Sequence, residues 1–182
     1  GGAGTTWLHD ELQVGQSLDV SGPYGQFFVR KSDPQGAIFI AGGSGLSSPE
    51  SMIMDLLEEG DTRPIYLFQG ARNKAELYHA DHFYQLAEKH DNFHYIPALN
   101  APLPDDAWEG FVGFVHEAVG QFFEQRCSGN KAYLCGPPPM IEAAISTLMQ
   151  SRLFERDIHM EQFLTAADGA TGKVRSALFK RI

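Results

Sequence analysis

The sequence is short of cysteine, of positive charge and of long apolar runs, and each shortage excludes something. Its two cysteines, Cys127 and Cys135, can build neither a disulfide framework nor a four-ligand zinc site. A reducing compartment, the cytoplasm, is the expectation. The greasiest stretches, such as Ala37-Ile38-Phe39-Ile40-Ala41, are strand-length, well below the ~18 residues a membrane helix needs. Lys and Arg number 14 against 23 Asp and Glu, a net charge of −9, and the scattered cations form no stripe. That argues against nucleic acid as a partner. No signal peptide opens the chain, which starts Gly1-Gly2-Ala3-Gly4 and runs straight into patterned sequence. The expectation is a piece of a longer protein.

What is present is ordinary folded material: 182 residues, 43% hydrophobic and 20% charged. This is enough for one sound core, or one domain and a fragment. From Leu12 to Arg30 the pattern is short and punctuated by turns. Ser17-Leu18-Asp19-Val20 and Gln26-Phe27-Phe28-Val29 flank Gly22-Pro23-Tyr24-Gly25, which predicts two small strands around a turn. Before them, Thr5 as N-cap with Leu8 and Leu12 four apart predicts a short helix. The polar run Lys31-Ser32-Asp33-Pro34-Gln35-Gly36 then marks a domain boundary near residue 33.

Beyond it, apolar strand-like runs alternate with helical ones. Strands are expected at Ala37 to Ala41, Ile65 to Gly70, Phe93 to Leu99, Lys131 to Leu134 and Asp157 to Phe163. Helices are expected at Pro49 to Glu59, Asp81 to His90, His116 to Gln125 and Pro138 to Met149. This alternation signals an α/β fold, a parallel sheet with helices on both faces. The pattern does not place the tail from Leu164 to Ile182.

Two turns carry the chemistry. Ile40-Ala41-Gly42-Gly43-Ser44-Gly45-Leu46 ends a buried strand and opens a helix, where backbone N–H groups and a helix N-terminus can receive a phosphate. A turn of this kind also closes strand-to-helix connections that bind nothing. It is not the G-x-G-x-x-G fingerprint, because no third glycine follows, and the second strand ends in Gln69-Gly70-Ala71-Arg72 where a ribose-binding acid is expected. The second turn, Tyr133-Leu134-Cys135-Gly136-Pro137-Pro138-Pro139-Met140, has proline suited to a first helical turn and leaves Cys135 at a strand's carboxyl end. A lone cysteine is most often a small buried hydrophobe, but two such turns would face one crevice.

These motifs, with Gly70-Ala71-Arg72 before Glu76-Leu77-Tyr78 and the late Glu161-Gln162-Phe163, resemble in order and spacing the ferredoxin-NADP reductase-like flavoprotein family. Ser47-Ser48-Pro49 and the ending Ser176 to Ile182 are most similar to reductase components of bacterial phenol hydroxylases and related multicomponent monooxygenases. The resemblance implies that residues 1–33 are the end of an antiparallel FAD-binding β-barrel and residues 34–182 the NAD(P)-binding domain. Gly2, Gly4 and Thr5 would then lie at the FAD pyrophosphate. Gly43, Ser44 and Gly45 would lie along the dinucleotide, with Arg72 near its ribose and Gly136 and Pro137 near the nicotinamide. Cys135 and Glu161 are the implied catalytic pair, Cys135 as a packing and polarising element, and Phe163 would close the flavin side. The implied reaction is hydride transfer from NADH, favoured by kinship over NADPH, to FAD. Single electrons would then pass through a 2Fe-2S centre to a separate oxygenase that acts on an aromatic compound. The family's Arg-x-Tyr-Ser flavin motif and a cysteine cluster for the iron–sulfur centre are both missing from this sequence. A non-catalytic nucleotide-binding or protein-docking module remains the alternative.

The remaining features have plainer readings. The seven histidines show no ligand pattern, and no metal is expected. Asp105-Asp106 reads as a solvated loop and Phe111, Phe122 and Phe123 as core. Gly43-Ser44-Gly45 lacks the spacing of a Gly-x-Ser-x-Gly nucleophile elbow.

Overall fold

A computed structural model gives the architecture for residues 2–22, 24–124 and 126–162. Phe163, the run from Leu164 to Ile182, Gln125 and Pro23 of the Gly22–Gly25 turn lie outside the described residues.

In strand β1 (Gly36–Gly42) every residue is buried, and alternation sends its side chains to opposite faces. Phe39 and Ala41 pack with Met52, Ile53, Leu56, Phe83 and Leu86. Ile38 and Ile40 pack with Val119, Ile141, Ile145 and Leu148. The first group comes from helices α2 (Ser47–Glu58) and α3 (Ala80–Lys89), the second from α4 (Val115–Phe122) and α5 (Pro138–Gln150). A strand covered on both faces must be apolar throughout, which is why the run Ala37 to Ala41 does not alternate in sequence.

The other strands are β2 (Ile65–Ala71), β3 (Phe93–Leu99), β4 (Phe111–Val112), β5 (Asn130–Gly136) and β6 (Ile158–Gln162). Their order across the sheet is β4-β3-β2-β1-β5-β6, and each neighbouring pair is parallel. The chain winds outward from β1 to β4 and then returns to the other side of β1. That reversal puts a topological switch point at the carboxyl ends of β1 and β5, where sheets of this kind leave a crevice. The α/β expectation holds, with each expected strand and helix of the parallel sheet present to within a few residues. The addition is β4, whose two residues are too few for any periodicity to reveal.

The N-terminal segment departs from expectation. Its helix α1 (Ala3–Thr6) is capped by Gly2 and continues as a wider turn over Trp7–Glu11, so Thr5 lies inside the helix and is not its N-cap. Neither Ser17–Val20 nor Gln26–Val29 forms a strand. A strand exists by pairing with a neighbour, and the described residues offer these segments none. Val20 and Tyr24 accordingly remain 81% and 83% exposed.

Among the described residues, it is the end of this segment that is fastened to the sheet. Val29 is buried beside Phe39 and Tyr133, and the Arg30 backbone N–H donates to the Tyr133 hydroxyl at 2.9 Å. Arg63, itself buried, donates to the carbonyls of Arg30, Lys31 and Asp33 at 3.3, 2.9 and 2.7 Å and pairs with Asp61 at 2.8 Å. Lys131 bridges Asp33 at 3.0 Å and Asp157 at 2.9 Å. Its contact with Lys131 holds the Asp33 carboxyl below its ordinary range, and the Arg63 guanidinium does the same for Asp61. Among the described residues no helix is long and apolar enough to cross a membrane.

Candidate functional site

Past Gly42 the chain makes one tight turn, Gly43–Leu46, and enters α2. The two outer glycines of Gly43-Ser44-Gly45 have different physical reasons. Gly43 has φ 56° with nothing within 4 Å of where a Cβ would stand, so its backbone is bare. Gly45 is buried, and a Cβ there would lie 2.6 Å from the Gly136 Cα. Gly45 is therefore a packing glycine, required by the second turn. Ser44 is exposed, and its carbonyl accepts the Ser47 hydroxyl at 3.1 Å.

The second turn is shaped by Gly136, at φ 153°, where a Cβ would stand 2.7 Å from Met140 Cε. Pro137 caps α5 and Pro138 begins it, so the helix starts with a residue that has no N–H to orphan. Cys135 pairs in register with Ala41 on one side and Glu161 on the other and is fully buried. Burial pushes its thiol up to about 11; the nearby Glu161 charge adds to this and the Ser48 hydroxyl opposes it. A thiol held protonated at neutral pH is a poor nucleophile, in keeping with a packing and polarising role. The Ser48 hydroxyl also reaches Glu161 Oε2, at 3.3 Å. Residues far apart in the chain thus converge on one spot.

A cleft of about 340 Å³ opens where β1, β2 and β3 end, lined by Gly42, Gly43, Gly70, Arg72, Glu76, Asn100, Phe114, Pro137 and Met140, among others. It spans both turns, as the topology requires. Gly70 is small because a Cβ there would stand 3.0 Å from the Val115 side chain. Arg72 is largely exposed and paired with Glu76. A second hollow, about 510 Å³, lies between Phe27–Val29 and the Ser47, Ser48 and Ser51 face of α2. It is more open to solvent-facing surface than the cleft, but it contains Ser48 and so borders the Cys135–Glu161 corner.

Of the residues singled out from sequence, the structure brings Gly43, Gly45, Cys135, Gly136, Pro137 and Glu161 to the adjoining carboxyl ends of β1, β5 and β6, with Arg72 on the wall of the cleft. It does not bring Gly2, Gly4 or Thr5 there. They are exposed on a helix with no buried residue, and none lines the cleft. Asn100, Phe114, Met140 and the role of Ser48 escaped the sequence reading. Asn100 follows directly on β3, and Phe114 comes two residues after β4, so knowing where those strands end would have found them. Asp106 is more than a solvated loop residue, because its carboxylate accepts the backbone N–H groups of Leu103 at 2.8 Å and Lys74 at 3.1 Å. Phe122 is 46% exposed, although its ring meets Phe68 edge-on at 5.6 Å.

Over residues 39–145 the sequence matches the oxidoreductase NAD-binding domain family. It is 72% identical over 182 residues to the phenol hydroxylase P5 protein of Acinetobacter pittii strain PHEA-2, a match covering all of this chain and 52% of that protein. It is 65% identical, with the same coverage, to the phenol 2-monooxygenase reductase component DmpP of Pseudomonas sp. strain CF600. The chain thus spans about half the length of these curated relatives, 52% in each. Among solved structures, the Amycolatopsis cytochrome P450 reductase GcoB superposes with a TM-score of 0.74 at 31% identity, over 87% of this chain and 47% of that one. The ferredoxin reductase of a carbazole 1,9a-dioxygenase gives 0.68 at 27% identity, over 79% and 42%.

Proposed function

This chain belongs to the oxidoreductase NAD-binding domain family, and on that footing we propose that it is the pyridine-nucleotide half of an electron-transfer flavoprotein reductase. In this reading, electrons from NADH pass through FAD and a 2Fe-2S centre to a separate oxygenase that hydroxylates a phenol-type substrate. The observation that carries the reading is the meeting of the Gly42–Leu46 and Cys135–Pro137 turns at the switch point. Residues 1–33 are assigned to the flavin domain and 34–182 to the nucleotide domain. Most of the flavin site and the iron–sulfur centre are assigned to the other half of a full-length reductase, since this chain spans 52% of its relatives.

The residues present fit a dinucleotide. The bare backbone of Gly43 at the entry to a 12-residue helix offers N–H groups and a helix N-terminus to a pyrophosphate, with Ser44 beside it. Arg72 would meet the adenosine side, and Gly136 and Pro137 the nicotinamide side. When bound, the coenzymes supply the redox chemistry, hydride donation by nicotinamide and its division into single electrons by flavin. The chain's own part is to hold the ring against the Cys135–Gly136 turn and keep water out. Buried Cys135 packs an uncharged, polarisable side chain beneath that floor, and Glu161, which accepts the Ser48 hydroxyl, stands beside it. Gly2, Gly4, Thr5 and Phe163 are assigned to the flavin side. An exposed four-residue helix is a weak flavin site by itself, so this chain alone should purify with little or no yellow colour.

The test is calorimetric titration with NAD and NADP in both redox states, for the wild type and for Gly43→Asp. Saturable binding that is lost in a variant with unchanged thermal unfolding supports the reading. Binding of neither coenzyme in either redox state overturns it in favour of a docking module without nucleotide.

A further inference from the structure

Near the carboxyl end of β2 the sheet carries a carboxamide, Gln69, that is 1% exposed. A buried carboxamide is unfavourable unless its polar ends are met, and here both are. Its Oε1 accepts the Tyr95 hydroxyl at 2.6 Å, and its Nε2 donates to the Tyr78 carbonyl at 3.1 Å. Tyr95 is wedged against α3, its ring 5.3 Å from that of Phe83 and 4.9 Å from that of Tyr84, so the acceptor end of Gln69 is held by a fixed partner. The donor end is thereby aimed at the chain leading into α3. The neighbouring Gly70 faces Val115 of the cleft, and alternation turns Gln69 to the opposite face of the sheet. Gln69 itself does not line the cleft.

The segment that Gln69 holds is the lip of the cleft, Arg72 to Tyr78, whose Arg72 and Glu76 stand on the wall. Its first half is fastened through backbone. Asn100 and Ala101 donate to the carbonyls of Ala71 and Arg72 at 3.1 and 2.9 Å, and the Lys74 N–H donates to the Asp106 carboxylate at 3.1 Å. Its second half rests on buried Leu77 and on two side-chain ties, Gln69 to the Tyr78 carbonyl and Glu50 Oε1 to His79 Nδ1 at 2.8 Å. His79 has φ 57°, a left-handed conformation that a residue with a Cβ keeps where its surroundings impose it. We propose that Gln69 is a positioning residue of the nucleotide cleft: from the far face of the sheet, its carboxamide holds the lip in the shape that receives the adenosine side of the dinucleotide. Without the Nε2 donor, the Tyr78 carbonyl turns to water and His79 is released from its left-handed state, so the receptive shape becomes one of several. Apparent affinity then falls with the fraction of the chain in that shape. The inference rests on the nucleotide reading of the cleft and adds to it a residue that touches no ligand.

The experiment uses the full chain as wild type, Gln69→Leu, Gln69→Glu, Tyr95→Phe and the double variant Gln69→Leu with Tyr95→Phe. Calorimetry reads the affinity for adenosine 5'-monophosphate, and amide hydrogen exchange reads the lip. Gln69→Leu and Gln69→Glu, the latter keeping an acceptor for Tyr95 but losing the donor, should each bind the monophosphate about tenfold more weakly. The amides of Glu76, Leu77 and Tyr78 should exchange about tenfold faster in both, with those of β2 and β3 unchanged. Tyr95→Phe, which leaves the donor in place, should lose about threefold or less. Gln69→Leu also strands the Tyr95 hydroxyl; the double variant removes that hydroxyl and should regain thermal stability without regaining affinity. Unchanged affinity in the folded Gln69 variants overturns the inference while leaving the nucleotide site intact. So does affinity that returns with stability in the double variant, or exchange that rises evenly through β2 and β3, since either makes Gln69 a residue of the sheet alone. If the wild type does not bind the monophosphate, the cleft reading itself fails and the inference falls with it.

Discussion

Gly45 and Cys135 meet backbone to backbone: a Cβ on Gly45 would stand 2.5 Å from the Cys135 carbonyl carbon. The two turns that define the crevice therefore fit each other before they fit any ligand.

That contact separates two glycines that look alike in sequence. Gly45→Ala should cost about 3 kcal/mol by overpacking against rigid backbone. Gly43→Ala, with open space but φ 56°, should cost about 1 kcal/mol of backbone strain. Urea unfolding of the two variants checks the order; equal costs would mean that the turns do not touch as described.

Both cysteines should be silent in the folded protein. Cys135 and Cys127 are fully buried, and burial raises each thiol to about 11. Ellman's reagent at pH 8 should therefore titrate almost no thiol in native protein and both in guanidinium. Fast reaction of one native thiol would contradict the protonated, enclosed state of Cys135.

Arg63 should be among the costliest side chains to lose outside the core. Its removal strands three carbonyls, those of Arg30, Lys31 and Asp33, and leaves Asp61 without its partner. Arg63→Ala should lower stability by about 3 kcal/mol. Arg63→Lys should restore little, because one ammonium cannot span the fork's geometry. Limited proteolysis should then cut in the 30–35 linker well before the wild type is cut.

Stability should fall on mild acidification, partly through His159. Its ring stacks on Tyr133 at 5.2 Å, and its buried Nε2 has no partner. Burial is the main cause that holds its pKa below 6.5; Arg30 and Lys131 add to it and Asp157 opposes them. The unfolded chain then binds more protons than the native one below pH 6.5, so stability is full above that pH and is lost towards the folded value. Thermal midpoints between pH 8 and pH 5 should slope less in His159→Phe, which keeps the stack. A second loss, below about pH 3.8, should follow from Asp33 and Asp61, whose carboxyls are held down by Lys131 and Arg63.

Local pattern was sufficient where one element's own residues decide its state. Phe93–Leu99 is a strand with the bounds its sequence predicts, because a short, mostly aromatic and aliphatic run between polar breaks has few other ways to be buried. Pro138 begins α5 because proline fixes the backbone angle of a first helical turn. Where an element depends on a neighbour, pattern misled: Ser17–Val20 has strand composition and no paired strand among the described residues, and β4, which pairs only with Ala98 and Leu99 of β3, is too short for its own pattern to reveal.

The site divides in the same way. The sequence by itself determined the parallel α/β sheet, the two glycine-bearing turns and the candidacy of Cys135, Glu161 and Arg72, because turn chemistry and apolar periodicity are properties of consecutive residues. Tertiary structure alone decided that Gly45 serves packing while Gly43 stays bare, and that Ser48 reaches Glu161 113 residues away. Those outcomes depend on the order in which six strands assemble, and strand order brings together residues whose spacing along the chain carries no trace of their contact.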